Sequence, residues 1–81
     1  MMIGQVLKVA RRQEGISQET LAVIIGISLW TLNRVENGHR TFDRRWLDRM
    51  PVKIRHTVIR ALEAEHRQAL DDLNESRTKI A

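Results

Sequence analysis

The stretch QETLAVIIGISLWTLNRVENG, residues 18–38, decides the fold, because its spacing predicts two short helices joined by a tight turn. Leu21, Ala22 and Ile25 recur at intervals that place side chains on one face of a helix. Gly26 follows them, and glycine adopts the left-handed backbone conformation without a steric penalty. The first of the two helices should therefore end at Gly26.

The second helix of this pair should begin after Ser28, whose hydroxyl can accept a hydrogen bond from a backbone N–H of the first turn. Leu32 and Val35 lie three residues apart and so face the same core. Asn37 and Gly38 suit a helix end, because both residue types tolerate positive φ. Burial of Leu32 and Val35 leaves five side chains facing outward, namely Leu29, Trp30, Thr31, Asn33 and Arg34.

This pattern resembles the helix-turn-helix of the phage-repressor-like, or Xre/Cro, family of DNA-binding proteins. The matching features are Ala22, Gly26, the Glu36-Asn37-Gly38 ending and the run over residues 11–19 that leads into the motif. No single position is specific, and the resemblance depends on their conjunction over residues 3–50. It implies an all-α fold of five helices.

The resemblance implies that the helix over residues 28–36 enters the major groove, where each base pair presents a distinct chemical pattern. The base-reading residues would then be Leu29, Trp30, Thr31, Asn33 and Arg34. Arg34 can donate two hydrogen bonds to guanine, which is worth roughly 1–3 kcal/mol of discrimination. Asn33 can pair with adenine or contact the backbone, and Thr31 can meet a phosphate or a thymine methyl group. The residues expected to contact DNA phosphates are Gln18, Ser28, Asn37, Gly38 and Arg40.

Arg11 and Glu36 occupy positions that form an ion pair in the family. The resemblance therefore implies a structural pair that fixes the third helix against the first. Such a pair positions more than it stabilises, because desolvation offsets much of the Coulomb attraction. The alternative is that Arg11 is free to contact a phosphate.

Four apolar residues depart from the family's pattern. Val23 and Ile24 stand where relatives mostly carry polar side chains, and Leu29 and Trp30 stand where relatives often carry Gln, Ser, Arg or Thr. Leu29 and Trp30 can pack on thymine methyl groups or contact another protein. Val23 and Ile24 would form an exposed apolar patch unless a helix or a second subunit covers them, although isolated exposed apolar side chains are common.

Composition limits the class of protein. The chain has 81 residues, a formal net charge of +4 and no cysteine, so disulfides and thiolate metal sites are excluded. No apolar run is long enough to span a bilayer and no signal-peptide pattern is present, so the simplest expected location is the cytoplasm. Residues 1–60 carry a net charge of +6 and residues 61–81 a net charge of −2. A basic body with an acidic end indicates a polyanionic partner for the body.

Helices on both sides of the motif should complete the core. Residues 3–14 predict a first helix whose apolar stripe is Ile3, Val6, Leu7 and Ala10. Asp43 should cap a short fourth helix, which contributes Phe42, Trp46, Leu47 and Met50 to the core. Its basic residues either extend the phosphate-binding rim or form a solvated face; they are Arg44, Arg45 and Arg49.

A long last helix is predicted after Pro51, from Val52 to about Arg77, because Pro favours a helix start and no Gly or Pro follows. Its start, Ile54 and Val58, should join the core. Its apolar stripe beyond the body is expected to form the dimerisation element, and consists of Ile59, Leu62, His66, Ala69 and Leu73. Acidic residues flank the stripe and disfavour a parallel pair, so a crossed or antiparallel pair of helices is expected. The alternative is a monomer whose C-terminal end frays.

These patterns predict a body over residues 1–58 with the motif at 18–38, a C-terminal helix over residues 51–78 and a tail at 79–81. No pattern indicates catalysis, a cofactor or a metal site, since the histidines have no suitable spacing and no Gly-rich phosphate loop is present. The expected function is sequence-specific DNA-binding regulation of transcription, most simply repression by a homodimer on an inverted-repeat operator.

Regulators of this compact kind are typical of phages, plasmids and toxin–antitoxin operons, and the residues do not choose among these prokaryotic settings. An alternative function is a protein-interaction module. A further alternative is an antitoxin, in which the Leu29/Trp30 surface or the C-terminal helix binds a protein partner.

Overall fold

The computed structural model describes the backbone of residues 3–80 and the side chains of residues 3–74. Its helices are α1 (Ile3–Gln13), α2 (Gln18–Ile25), α3 (Leu29–Glu36), a short 3-10 helix (Arg44–Arg49) and α4 (Val52–Ile80). No strand is present in residues 3–80. The expected all-α architecture of five helices is confirmed.

The turn between α2 and α3 follows from local chemistry. Gly26 has φ of 84°, and its N–H donates to the Ala22 carbonyl oxygen, which lies 2.9 Å away. Ser28 then caps α3, because its hydroxyl accepts the backbone N–H of Thr31 at 3.0 Å. Ser17 caps α2 in the same way. Two capped helices therefore meet at a fixed angle across a turn of a few residues.

The core lies where α1, α2, α3 and the first turns of α4 meet. Its buried members are Leu7, Ala10, Leu21, Ala22, Ile25, Leu32, Val35, Met50, Ile54 and Val58. Partly buried residues that pack around this set are Ile3, Ile16, Ile27, Phe42, Trp46, Leu47 and Leu62. Full burial of one such aliphatic side chain contributes about 1.5–3 kcal/mol, so this set is the main source of stability.

Gly4 allows α1 to approach α3 closely. It is buried inside α1, and a Cβ atom at this position would overlap the carbonyl oxygen of Val35. Glycine is ordinarily unfavourable inside a helix, but here the missing side chain makes room for the backbone of α3. The close approach fixes the distance between the first helix and the end of the third.

The 3-10 helix closes one side of the core. Asp43 caps it by accepting the backbone N–H of Arg45 at 2.9 Å. Phe42 and Trp46 pack edge to face, with ring centroids 5.6 Å apart. Met50 is extended at the end of the element, because the following Pro51 disfavours helical geometry for the residue before it.

The long helix α4 begins inside the body and leaves it. Ile54 and Val58 are fully buried, as expected, whereas every residue of the segment 63–74 is exposed. The helical backbone continues to Ile80, beyond the expected end near Arg77, and Ala81 of the predicted tail lies outside the described residues. Within the described part of the chain, none of the helices has both the length and the apolar character needed to cross a bilayer.

Candidate nucleic-acid interface

A buried ion pair holds the C-terminal end of α3. Arg11 donates from Nε to Glu36 Oε2 at 2.9 Å and from Nη2 to Glu36 Oε1 at 3.0 Å. The two side chains are 9% and 0% exposed. The remaining Arg11 nitrogen, Nη1, donates to the Ile16 carbonyl oxygen at 2.8 Å. Such a bidentate pair fixes both distance and orientation, so Arg11 is committed to structure in the free protein.

Gln18 joins the same cluster. Its side-chain nitrogen donates to Glu36 Oε1 at 3.1 Å. The start of α2, the end of α3 and the last turn of α1 are therefore joined by one set of polar contacts. Gln18 was predicted to contact DNA phosphate. In this arrangement its Nε2 is occupied by Glu36, and its position at the N-terminal end of α2 is fixed.

The outward face of α3 carries the residues predicted to read bases. Leu29 is 42% exposed and Trp30 is 66% exposed. Asn33 is exposed, whereas Thr31 and Arg34 are half-buried. The five side chains share one short helix whose opposite face, Leu32 and Val35, is buried in the core. The arrangement presents a continuous surface of apolar and hydrogen-bonding groups to solvent.

Arg34 is held by its neighbours on this face. Its guanidinium carbon lies 4.9 Å from the centroid of the Trp30 ring, within the range of a cation–π interaction. Nη2 also donates to the His39 carbonyl oxygen at 3.3 Å. Trp30 and Arg34 are four residues apart, which is the spacing at which helical side chains meet. Trp30 therefore restricts the conformations of the predicted guanine reader.

Two other predicted contact residues are paired with near neighbours. Asn37 donates from its side-chain nitrogen to the Asn33 carbonyl oxygen at 2.9 Å and to Asn33 Oδ1 at 3.2 Å. Ser28 donates to Thr31 Oγ1 at 2.8 Å while it caps α3. These contacts shape the two ends of α3. They also define which polar atoms would need to change partner when DNA is bound.

The residues expected at phosphates surround α3. Asn37, Gly38 and Arg40 follow it directly and are exposed, and Gly38 has φ of 78°. Ser28 lies at the other end of α3, and Gln18 lies beside Glu36. The predicted phosphate contacts therefore lie at both ends of the surface predicted to read bases.

The basic residues of the 3-10 helix have separate roles. Arg45 pairs with Asp43, with Nη2 and Oδ2 2.7 Å apart, and its hydrogen bonds hold the pKa of the Asp43 carboxyl below its ordinary value of 3.8. Arg49 donates from Nη1 to the Ile25 carbonyl oxygen at 3.1 Å and so satisfies the C-terminal end of α2. Its contact with α2 was missed because the partners are 24 residues apart and meet only in the folded chain.

The apolar residues that depart from the family's pattern stay accessible. Val23 is 81% exposed and Ile24 is 40% exposed. Helix α4 does not cover Val23 in this chain. Together with Leu29 and Trp30 they place apolar surface on the motif, beside the polar groups of α3.

The predicted dimerisation stripe divides into two parts. Ile59 and Leu62 are half-buried near the body, and Leu62 packs against the core. His66, Ala69 and Leu73 are exposed. Leu70, which sequence reasoning left out, belongs to the same face and is 48% exposed. Its spacing of four from His66 is the signal that identifies it.

Comparison with known proteins identifies the central segment. Residues 7–44 match the sequence model of a protein family described as helix-turn-helix. The match includes α1 after its first turn, all of α2 and α3, and the loop that follows. No curated protein and no solved structure matches the chain. The match confirms the resemblance drawn from Ala22, Gly26 and the residues around them.

Proposed function

Because this chain carries a DNA-binding helix-turn-helix of the phage-repressor-like (Xre/Cro) type, we propose that it is a sequence-specific regulator of transcription that places α3 in the major groove. The observation that carries the proposal is the division of α3 into two faces. One face is buried and fixed through Glu36 to Arg11, and the other presents a row of accessible side chains. A rigid helix with a free outer face can read base edges without a cost of ordering.

Arg34 is the principal base reader in this proposal. Its guanidinium can donate two parallel hydrogen bonds to O6 and N7 of a guanine. Trp30 supports it, because the ring limits the rotation of the guanidinium. Leu29 supplies apolar contact to a thymine methyl group, and Asn33 and Thr31 supply hydrogen bonds.

Phosphate contacts set the register of α3 on the duplex. Arg40 supplies charge after the helix, and the backbone around Asn37 and Gly38 supplies N–H donors. Ser28 contacts the DNA backbone from the N-terminal end of α3, and Gln18 contacts it from the start of α2, beside Glu36. Contacts of this kind fix orientation and carry no sequence information. Their removal should therefore weaken binding to every duplex sequence equally.

The regulator acts as a homodimer on an inverted repeat, and its simplest action is repression by occupancy of a promoter. Two copies related by a twofold axis present two recognition helices to successive major grooves about one helical turn apart. The basic body, with a net charge of +6 over residues 1–60, supports association with DNA.

Selection of bound sequences from a random duplex pool tests this function. We expect an enriched inverted repeat and a logarithm of the binding constant that falls steeply with the logarithm of salt concentration. A salt-dependent but unenriched pool would reduce the function to non-specific binding. Absence of binding at moderate salt would exclude a DNA-binding role.

A second candidate function is protein binding, as a scaffold or as an antitoxin that binds a toxin. The exposed apolar residues favour it, since Val23 and Trp30 are 81% and 66% exposed on the motif itself. The variant Trp30→Ala separates the two functions. A DNA reader should lose affinity or selectivity for its enriched duplex, whereas a protein-binding module should keep its DNA behaviour and lose its protein complex.

A further inference from the structure

A groove runs along α4 beside the 3-10 helix. Arg44 and Leu47 form its body side, and it has a volume of about 620 Å³. Along α4 it is lined by Ile59, Leu62, Glu63, His66, Arg67 and Leu70. The half-buried end of the groove is apolar, and its far end combines an exposed leucine with one acidic and one basic residue. It follows about three turns of α4, from Ile59 to Leu70.

The apolar residues of this face are arranged symmetrically about His66. Leu62 and Leu70 are each four residues from His66, and Ile59 and Leu73 are each seven residues from it. If two α4 helices pair in opposite directions with His66 on the twofold axis, Leu62 of each copy meets Leu70 of the other. Ile59 meets Leu73 in the same way. Each of these four residues then has an apolar partner, whereas Ala69 of one copy lies opposite Glu63 of the other.

Charges on the edge of the face agree with the same register. Glu63 and Arg67 lie on one side of the groove. Antiparallel pairing about His66 brings Glu63 of one copy to the same flank as Arg67 of the other, twice per dimer. The two positions are offset by two residues, about 3 Å along the axis, which these long side chains can span. Pairing in this direction also moves the acidic residues Asp71 and Asp72 towards the basic body of the second copy, near its Arg44. A parallel pair would place these acidic residues beside the same acidic residues of the second copy, which is repulsive.

The spacing between the two bodies also suits the antiparallel register. The buried residues Ile54 and Val58 attach α4 to the body, and their midpoint lies ten residues before His66. At 1.5 Å per residue this is about 15 Å. The two bodies would therefore attach about 30 Å apart along the paired helices, close to the roughly 34 Å of one turn of DNA.

We propose that this groove holds α4 of a second copy of the chain, antiparallel, with His66 of both copies on the twofold axis. The spacing argument rests on the proposed function, whereas the apolar register and the charge pairing do not. The pairing itself can therefore be tested without DNA.

Engineered thiols test the register, because the chain has no cysteine of its own. A mixture of Leu62→Cys and Leu70→Cys chains should form a mixed disulfide dimer on mild oxidation, while neither variant alone should. Antiparallel pairing separates identical positions by eight residues, about 12 Å, which is beyond disulfide reach. A self-linked Leu62→Cys or Leu70→Cys dimer would indicate parallel pairing and overturn the proposal.

Exposed positions supply variants that carry little risk to folding. His66→Cys should link to itself, because it lies on the axis. Ala64→Cys, on the opposite side of α4, is the matched control and should stay unlinked. Linkage of Ala64→Cys in place of His66→Cys would assign the interface to another face of α4. A monomeric mass at a protein concentration on the order of 100 μM, without linkage of either variant, would exclude pairing.

Charge reversal provides an independent measurement in the full chain. Glu63→Arg and Arg67→Glu should each weaken self-association by roughly tenfold, since each converts two attractive contacts into repulsive ones. An equimolar mixture of the two variants should recover a mixed dimer, as read by sedimentation equilibrium. If Glu63 and Arg67 interacted only within one helix, mixing the variants would not favour a mixed dimer. Equal association of Glu63→Arg alone, Arg67→Glu alone and their mixture would therefore contradict the proposed contact.

The outcomes separate this inference from the proposed function. A correct register without any enriched duplex would leave the dimer and remove the sequence-specific regulatory function. An enriched duplex with the wrong linkage pattern would leave the regulator and remove this dimer geometry.

Discussion

The body and the distal segment of α4 are connected by one uninterrupted helix, α4, yet the burial of their side chains differs completely. In the body, defined here as residues 3–58, ten apolar side chains are buried. In the distal segment, residues 63–74, every residue is exposed. Both regions have apolar residues at helical spacing. Periodicity therefore predicts a helix in both cases, but it cannot say whether the apolar face has a partner within the same chain.

The polar contacts of the two regions differ in the same way. Glu36 of the body is fully buried and accepts hydrogen bonds from Arg11 and Gln18. Asp72 of the distal segment accepts one hydrogen bond from Gln68 at 3.0 Å, and both are exposed. A buried carboxylate must keep its partners, whereas an exposed one can exchange them for water. The comparison predicts where substitutions will be costly.

The largest effect is expected from Glu36→Gln, which leaves the guanidinium of Arg11 buried without a counter-charge. The free energy of unfolding should fall by about 3–5 kcal/mol. The matched change in the distal segment, Asp72→Asn, should stay within about 0.5 kcal/mol. Urea unfolding followed by circular dichroism measures both. Equal losses in the two variants would break the distinction between the regions.

A core truncation should follow in size. Leu32→Ala removes a fully buried side chain and should cost about 2–5 kcal/mol at every protein concentration. Leu70→Ala removes a side chain that is 48% exposed, so its cost should be small in dilute solution and should grow with concentration as the dimer forms. Thermal unfolding over a hundredfold range of concentration distinguishes them. A concentration-independent loss in Leu70→Ala would place this residue in the body.

DNA recognition should reside in the body and produce a smaller effect. Arg34→Ala should cost about 1–3 kcal/mol of binding free energy on the enriched duplex and relax selectivity at one position. Arg40→Ala is the comparison, because loss of a phosphate contact should weaken enriched and random duplexes alike and lower the salt slope. Fluorescence anisotropy titrations at several salt concentrations measure both. Unchanged selectivity in Arg34→Ala would remove its role as a base reader.

The smallest effect is expected at the exposed pair of Asp43 and Arg45. Because the pKa of Asp43 is lowered in the folded protein, the carboxylate favours folding above its ordinary pKa of 3.8 and loses this contribution as pH falls through the lowered value. The parent chain should thus be more stable than Asp43→Asn at neutral pH, and this difference in stability should vanish in acid. Thermal melts from pH 7 to pH 2 measure this difference. A difference in melting temperature in favour of the parent chain that grows as the pH falls would contradict the prediction.

Much of the body could be predicted from residues that act locally. Ser17, Ser28 and Gly26 determine the ends of α2 and α3 through their own backbone contacts, which need no knowledge of the rest of the fold. The pair between Arg11 and Glu36 followed from the family resemblance. Ile54 and Val58 followed from apolar spacing after Pro51.

Contacts between distant segments could not be predicted in the same way. Gly4 lies on the buried face of α1, where local patterns give no reason for a glycine. The reason is the backbone of α3, which packs so closely that a Cβ atom would overlap Val35. The sequence predicts that Arg49 either extends the phosphate-binding rim or is solvated. Its hydrogen bond to the Ile25 carbonyl oxygen depends on the path of the intervening chain, which local patterns do not give. The stacking of Arg34 on Trp30 was available from their spacing, because residues four apart meet on a helix.

The placement of the two tryptophans gives the protein a pair of internal optical probes. Trp30 is solvent-accessible on α3 beneath a guanidinium, so its emission should respond when a ligand displaces water or Arg34 from the ring. Trp46 packs edge to face against Phe42 at the side of the core, so its emission should change when the body unfolds. Replacing either one by phenylalanine leaves a single reporter. Occupancy of the motif and integrity of the core can then be followed separately in the same solution, without an attached dye.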